Sequence, residues 1–209
     1  MTKKFLTLSV TGIAAAIALA GCASGSGAGP SGTSTPGMDH GSSSATASSI
    51  PGSATAAAAD HNTADVTFAQ TMIPHHTQAV EMSDTMLKKK DIPASVTALA
   101  TKIKAAQGPE IETMTGWLKS WNETATMPSS HSMTGMMSDA DMQKLDAAQG
   151  SDAARLFLKQ MTAHHEGAIM MAKTENTAGK NADAVQLSKD IVAAQEAEIQ
   201  EMQKLLATL

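Results

Sequence analysis

A block of this chain recurs without a gap 89 residues downstream, and the repeat limits the folds open to it. Phe68, Met72, His75, His76, Ala79, Val80 and Met82 align with Phe157, Met161, His164, His165, Ala168, Ile169 and Met171. A second block follows at an offset of 88. There Leu99, Ile103, Gln107, Glu110, Ile111, Met114 and Leu118 align with Leu187, Ile191, Gln195, Glu198, Ile199, Met202 and Leu206. In every block the apolar residues return at three- and four-residue steps, the period of an amphipathic helix. Two blocks per repeat make a helical hairpin, and two hairpins bury their stripes against each other. The pattern predicts an all-α fold, an antiparallel four-helix bundle of ferritin-like type over residues 60–209. Its halves are 60–122 and 151–209, joined by a Met-rich connector at 123–150. Few aromatic residues (3 Phe, 2 Trp and no Tyr) argue against an all-β fold.

Local signals place the helix ends. Asp65 is expected to start the first helix, with Lys88, Lys89 and Lys90 suiting its C-terminal dipole. Pro93 is allowed in the first turn of the second. Ser138 and Asp141 have capping-box spacing for a short helix ending near Gly150. The third long helix is expected from Ser151 to near Gly179, and the fourth from about Asn181. Pro74 and Pro109 fall inside the first two helices, where their counterparts are Ala163 and Ala197. A helix-interior proline removes one hydrogen bond. Either the kinks are tolerated, or they open the bundle around the histidines.

The N-terminus reads as an export signal. Lys3 and Lys4 precede an apolar run from Phe5 to Ala20, too short for a comfortable membrane span. The run ends in Leu19, Ala20, Gly21 and Cys22, which resembles a bacterial lipoprotein cleavage site. Residues 1–21 are then the signal peptide. Cys22, the only cysteine, is the lipidated first residue and anchors the chain to the outer face of the cell membrane. A single cysteine excludes a disulfide framework and any multi-cysteine metal site. Of the 37 residues from 23 to 59, 33 are Gly, Ala, Ser, Thr or Pro. Residues 22–59 are therefore expected to be a disordered tether, too poor in apolar surface to offset the entropy of ordering. The net charge of −5 becomes −7 without Lys3 and Lys4, and the absence of a basic stripe argues against nucleic acid as a partner.

What remains unexplained is 15 Met. Met72, His75, His76, Met82 and their copies Met161, His164, His165, Met171 put thioethers and imidazoles on one side of two helices. Soft sulfur with imidazole suits copper, Cu(I) above all. The bland reading is that Met fills gaps in a core. Pairing with His-His in both halves favours ligation, whereas Met86 and Met170 read as packing. Gln107, Glu110 and Met114, with Gln195, Glu198 and Met202, could face the histidines as further ligands or as orienting partners. The connector offers a third group, Met127, His131, Met133, Met136 and Met137, either an outer, exchangeable Met/His site or a plug for the bundle's open end. The Glu-x-x-His pairs of di-metal enzymes are absent, as are phosphate loops and nucleophile elbows.

The two phrases Met72-Ile73-Pro74-His75-His76 with Ala79, Val80 and Met82, and Met161, His164-His165 with Gly167, Ala168, Ile169 and Met171, resemble the bacterial family known as domain of unknown function 305. The similarity spans residues 60–209. It implies a ferritin-like bundle, secreted or lipid-anchored, with copper binding and resistance in some members. The chain departs from the commoner second motif at Thr162 and Ala163. The expected function is extracytoplasmic copper sequestration, tolerance or delivery, with the metal ion and the membrane as partners and no catalysis. The alternatives are a metal-dependent oxidase of ferritin-like type and a metal-free module for contacts in the cell envelope.

Overall fold

The computed structural model describes residues 60–126 and 133–209, and these contain five α-helices and no strand. They are α1 (Thr63–Lys88), α2 (Ala94–Ser120), α3 (Asp139–Ala147), α4 (Gly150–Ala178) and α5 (Ala182–Leu206). The four long ones are the predicted bundle, and α3 is the predicted short helix in the connector. Cys22 and residues 1–59 lie outside the described residues, as do Met127 and His131.

The ends are set by local chemistry. Asn62 is the N-cap of α1: its side-chain oxygen accepts from the amides of Ala64 and Asp65, and Asp65 accepts from the Asn62 amide at 2.6 Å. The helix therefore starts two residues before Asp65, which serves as the third residue of a capping box. Pro93 precedes α2 as its N-cap and does not sit in its first turn. Asn181 caps α5 through the amides of Asp183 and Ala184. Ser138 caps α3 at the Asp141 amide. Both α1 and α2 run through their prolines.

Tertiary ties make α1 and α4 antiparallel. At one end, Asn62 donates to the Ala178 carbonyl at 2.8 Å, and Asp65 accepts from the amides of Lys180 and Asn181. At the other, the Lys89 ammonium donates to the carbonyls of Asp146 and Ala148. Each hairpin adds a flanking helix, α2 beside α1 and α5 beside α4. Lys102 of α2 reaches across to Glu198 and Glu201 of α5.

The core is divided. Phe68, Met72, Met114, Leu118, Ala168, Ala172 and Ile191 form one apolar cluster, with Met171 against it. Met82, Met86, Leu99, Ile103, Phe157, Leu158, Met161 and Met202 form part of the other. Along every long helix the residues between these clusters are polar: His75 and His76, Gln107 and Glu110, His164 and His165, Gln195 and Glu198. A polar layer thus crosses the middle of the bundle. Met86 is fully buried as expected of packing, but Met170 is 59% exposed, so the reading of that residue as packing is corrected.

A second buried polar group lies at the α1 N-terminal end. Asp65 and Glu175 are both buried and close together. Burial, then the bond to Asp65 and its charge, pushes the Glu175 carboxyl up to about 8. Burial would raise Asp65 as well, but the bonds from Glu175 and three backbone amides outweigh it and hold this carboxyl below its usual range. The Glu175 carboxyl fills the space beside Gly179, where a β-carbon would lie 2.6 Å from Glu175 Cδ.

Candidate metal centre

The duplicated sequence builds a duplicated arrangement of imidazoles. His76 Nε2 lies 2.7 Å from a Glu110 oxygen, and His165 Nε2 lies 2.8 Å from a Glu198 oxygen. Each pair joins the first helix of a hairpin to the second. Adjacent helical residues diverge by about 100°, so the other histidine of each pair points toward the opposite hairpin. His75 and His164 meet there, with ring centroids 3.7 Å apart and planes inclined by 39°. All four imidazoles are 0–1% exposed. The prolines therefore do not open the bundle at this layer.

His75 and His164 are uncharged at neutral pH. Burial, then the neighbouring His76, lowers His75 to about 3. Burial, then His75 and the other imidazoles, lowers His164 to about 2. Burial also lowers His165, outweighing the bond and charge of Glu198 that favour its protonated form. The Thr134 backbone comes near enough to His75 to favour its protonated form slightly, yet it lies outside hydrogen-bond geometry. Both nitrogens of His75 and both of His164 lack a protein hydrogen-bond partner, as do Nδ1 of His76 and of His165. A buried polar atom without a partner costs about 1–3 kcal/mol. Six such imidazole nitrogens in one layer are unusual enough to need a cause.

Methionines flank this layer on both sides. Met72 and Met114 are fully buried on one side, with Met171 partly buried beside them; Met82, Met161 and Met202 are fully buried on the other. Each group takes two residues from one hairpin and one from its copy. The Met202 sulfur already accepts from the Thr162 hydroxyl at 3.7 Å. Met171 lines a surface cavity of about 300 Å³ with Phe68, Thr71 and Glu175, away from the polar layer. Gln107 and Gln195 are buried one turn before the glutamates, and their side-chain oxygens lack protein partners.

The two halves are not chemically equal. Lys102 Nζ stands 3.6 Å from Glu198, whose side chain is 6% exposed. Glu110, at the matching place, is 21% exposed and pairs with His76. The residue matching Lys102 in the second repeat is Asp190.

The connector takes part where it was not expected to. Met133, Met136 and Met137 are half-buried, and Met137 packs on the core cluster that includes Met82. The Gln78 side chain clamps the Met137 backbone in both directions, donating to its carbonyl at 2.9 Å and accepting from its amide at 2.7 Å. Gly135, at φ +86°, turns the chain against Gly167 of α4. Gly135 and Gln78 carry no obvious chemistry in the sequence, and Gly167 stands there only as part of the second motif. A glycine inside a helix, as in His164-His165-Glu166-Gly167, was the available signal.

Among the described residues, no three or more His, Cys, Asp and Glu side chains are grouped to hold a metal ion. Neutral imidazoles with unpaired nitrogens, flanked by thioethers, suit a soft ion.

The profile of a family described as a domain of unknown function, DUF305, matches residues 65–206. No curated protein matches the chain. Among solved structures, a DUF305 protein from Streptomyces coelicolor, described as a candidate secreted protein, is 36% identical, with a TM-score of 0.66 over 69% of this chain and 93% of that one. A DUF305 fragment from Deinococcus radiodurans is 30% identical, with a TM-score of 0.66 over 71% and 98%. CopM in its Cu(I)-bound form is 31% identical, with a TM-score of 0.60 over 69% and 96%. CopM is also described in Cu(II)-bound and Ag-bound forms.

Proposed function

This chain belongs to the DUF305 family, and from that premise we propose that it is an extracytoplasmic copper-binding protein that sequesters or delivers the ion. The observation that carries this reading is the set of four unpartnered nitrogens on His75 and His164, buried and held uncharged where the two hairpins meet. A neutral imidazole with a free lone pair is a ready ligand, and a bound ion would end the cost of leaving it unpaired. Likeness to CopM, described with copper and silver bound, supports copper over harder ions.

His75 and His164, with the unpartnered Nδ1 atoms of His76 and His165, would hold the ion; Met72, Met82, Met161 and Met171 are the soft donors of the same two helices, Met171 the outermost beside its surface cavity. Glu110 and Glu198 fix the orientation of His76 and His165 through their Nε2 atoms, as carboxylates do for imidazole ligands. Gln107, Met114, Gln195 and Met202 complete the surroundings. Copper supplies affinity for sulfur and nitrogen together; the protein supplies a dry, uncharged pocket. The connector group Met127, His131, Met133, Met136 and Met137 forms an outer, exchangeable site. Cys22 carries the lipid that keeps the chain at the membrane. No helix among the described residues is long and apolar enough to cross one.

The test is titration of the full chain with Cu(I), and with Ag(I) as a redox-inert substitute, against a competing chelator. Replacing His75, His76, His164 and His165 together by Ala should weaken binding by about 100-fold or more, at the upper end of what loss of a site's supporting groups costs. Unchanged affinity in that variant overturns the assignment to the bundle.

A further inference from the structure

Beside the polar layer the connector rests on both α1 and α4, and the residues that hold it there stand at equivalent places in the two repeats. Gln78 is three residues after His75, and Gly167 is three residues after His164. At the α1 position a long polar side chain grips the Met137 backbone by two hydrogen bonds. At the α4 position the side chain is missing altogether. A methyl group on Gly167 would overlap the Thr134 carbonyl oxygen, and would lie 2.7 Å from its carbon and 2.8 Å from the Gly135 Cα. Gly135 is under the same constraint, since its own β-carbon would lie 2.8 Å from Gly167 Cα and 2.9 Å from the Ala163 carbonyl oxygen.

Met133 to Met136 make a tight turn, closed by the Met136 amide on the Met133 carbonyl at 3.3 Å. A positive φ at its third residue is what a type II turn requires, and glycine supplies it at no steric cost. The turn thus seats Thr134 and Gly135 between Ala163 and Gly167, the residues on either side of His164 along α4, with the Thr134 backbone close to His75. Glycine inside a helix costs about 1 kcal/mol relative to alanine. At residue 167 that cost is accepted where two backbones touch.

We infer that the segment Met133–Met137 is a removable strap over His75 and His164, held by the Gly135–Gly167 contact and the Gln78 clamp, and that lifting it is the route by which an ion reaches these two imidazoles. The inference rests on the copper reading for the identity of the ion, but not for the existence of the cover.

The test uses metal-free protein, so its failure and the failure of the copper reading remain distinct. Gly167→Ala suits it because the change favours the helix while expelling the strap. Carbethoxylation by diethyl pyrocarbonate, followed site by site by mass spectrometry, should accelerate at His75 and His164 by about tenfold or more, about 1.4 kcal/mol of opening. His76 and His165, bound to their glutamates on the other side, should keep their rates. The Met137 amide should exchange faster with deuterium, and helix content should stay level. Gln78→Ala, which releases the strap from α1 instead, should move the same two histidines in the same direction. Unchanged labelling of His75 and His164 in both variants overturns the inference, since the strap would then not be what covers them. Equal acceleration of all four histidines overturns it too, because the bundle as a whole would have loosened. For the ion, copper uptake and release by Gly167→Ala should both quicken by a similar factor.

Discussion

Acidification from about pH 7.5 to about pH 5 should pull this bundle in two opposed directions, which separate variants can expose. His75 and His164 titrate at about 3 and about 2 in the fold, against 6.5 ordinarily. A folded value below the unfolded one means that the unfolded chain takes up the proton first. The stability these residues confer is complete above pH 6.5 and is lost as pH falls. At about 1.4 kcal/mol per pH unit below that point, each costs about 2 kcal/mol at pH 5, so about 4 together. Glu175 has the opposite sign. Its value of about 8 lies above the usual 4.5, so its stabilisation is complete below pH 4.5 and is lost as pH rises through 8. Moving down to pH 5 therefore restores about 3 kcal/mol at that end of the bundle.

Relative to the natural chain, the His75→Gln/His164→Gln double variant should gain about 4 kcal/mol on acidification, and Glu175→Gln should lose about 3. Each is a large part of the 5–15 kcal/mol that holds a domain folded. Urea unfolding followed by far-UV circular dichroism at the two pH values measures the differences. Asp65 lies outside the window, because its carboxyl is held below the usual 3.8. His165, also lowered, is common to all three proteins and drops out of the comparison. If the three show the same pH dependence, the buried, uncharged state of the histidine pair is wrong.

The glutamates and the first cap give two further expectations. Glu110→Gln and Glu198→Gln should each weaken Cu(I) binding by about 10–100-fold in chelator competition, because the imidazole loses the carboxylate that orients it. Asn62→Ala should lower stability by about 1 kcal/mol for the lost cap; a thermal melt should record a fall of about 2–4 °C for a domain of this size.

The architecture was legible because the repeat is a statement about tertiary structure made in one dimension. Phe68, Met72, Met82 and their copies specify a helix face, and Leu99 to Leu118 specify the face it meets. The His-Glu pairs were legible as candidates for the same reason: Gln107 and Glu110 recur at a fixed distance from the histidines. Which imidazole of each pair turns to its glutamate depends on helix rotation within the bundle, and one sequence does not contain that angle. The Asp65–Glu175 pair was hidden because its members belong to different hairpins and meet only through the antiparallel docking of α1 on α4. Helix starts at Thr63 and Ala94 slipped by one or two residues, since an acidic residue suits either the start or the third position of an N-terminus, and proline either the cap or the first turn. Gly167 reads as a small blemish in a helix until the backbone of Thr134 and Gly135 is seen against it.

The strap also makes the duplication asymmetric in a useful way. Two separate copies of one hairpin could meet around a two-fold axis through the histidine contact, but whatever covered one face of that pair would cover the other alike or be shared between them. Fusing the hairpins into one chain supplies a single joining segment, and a single segment can lie on only one face. Gln78 on one side and Gly167 on the other are the marks of that choice: the same position in two repeats, shaped to opposite ends by one piece of chain. The molecule therefore has a front and a back, although its two halves descend from the same pattern.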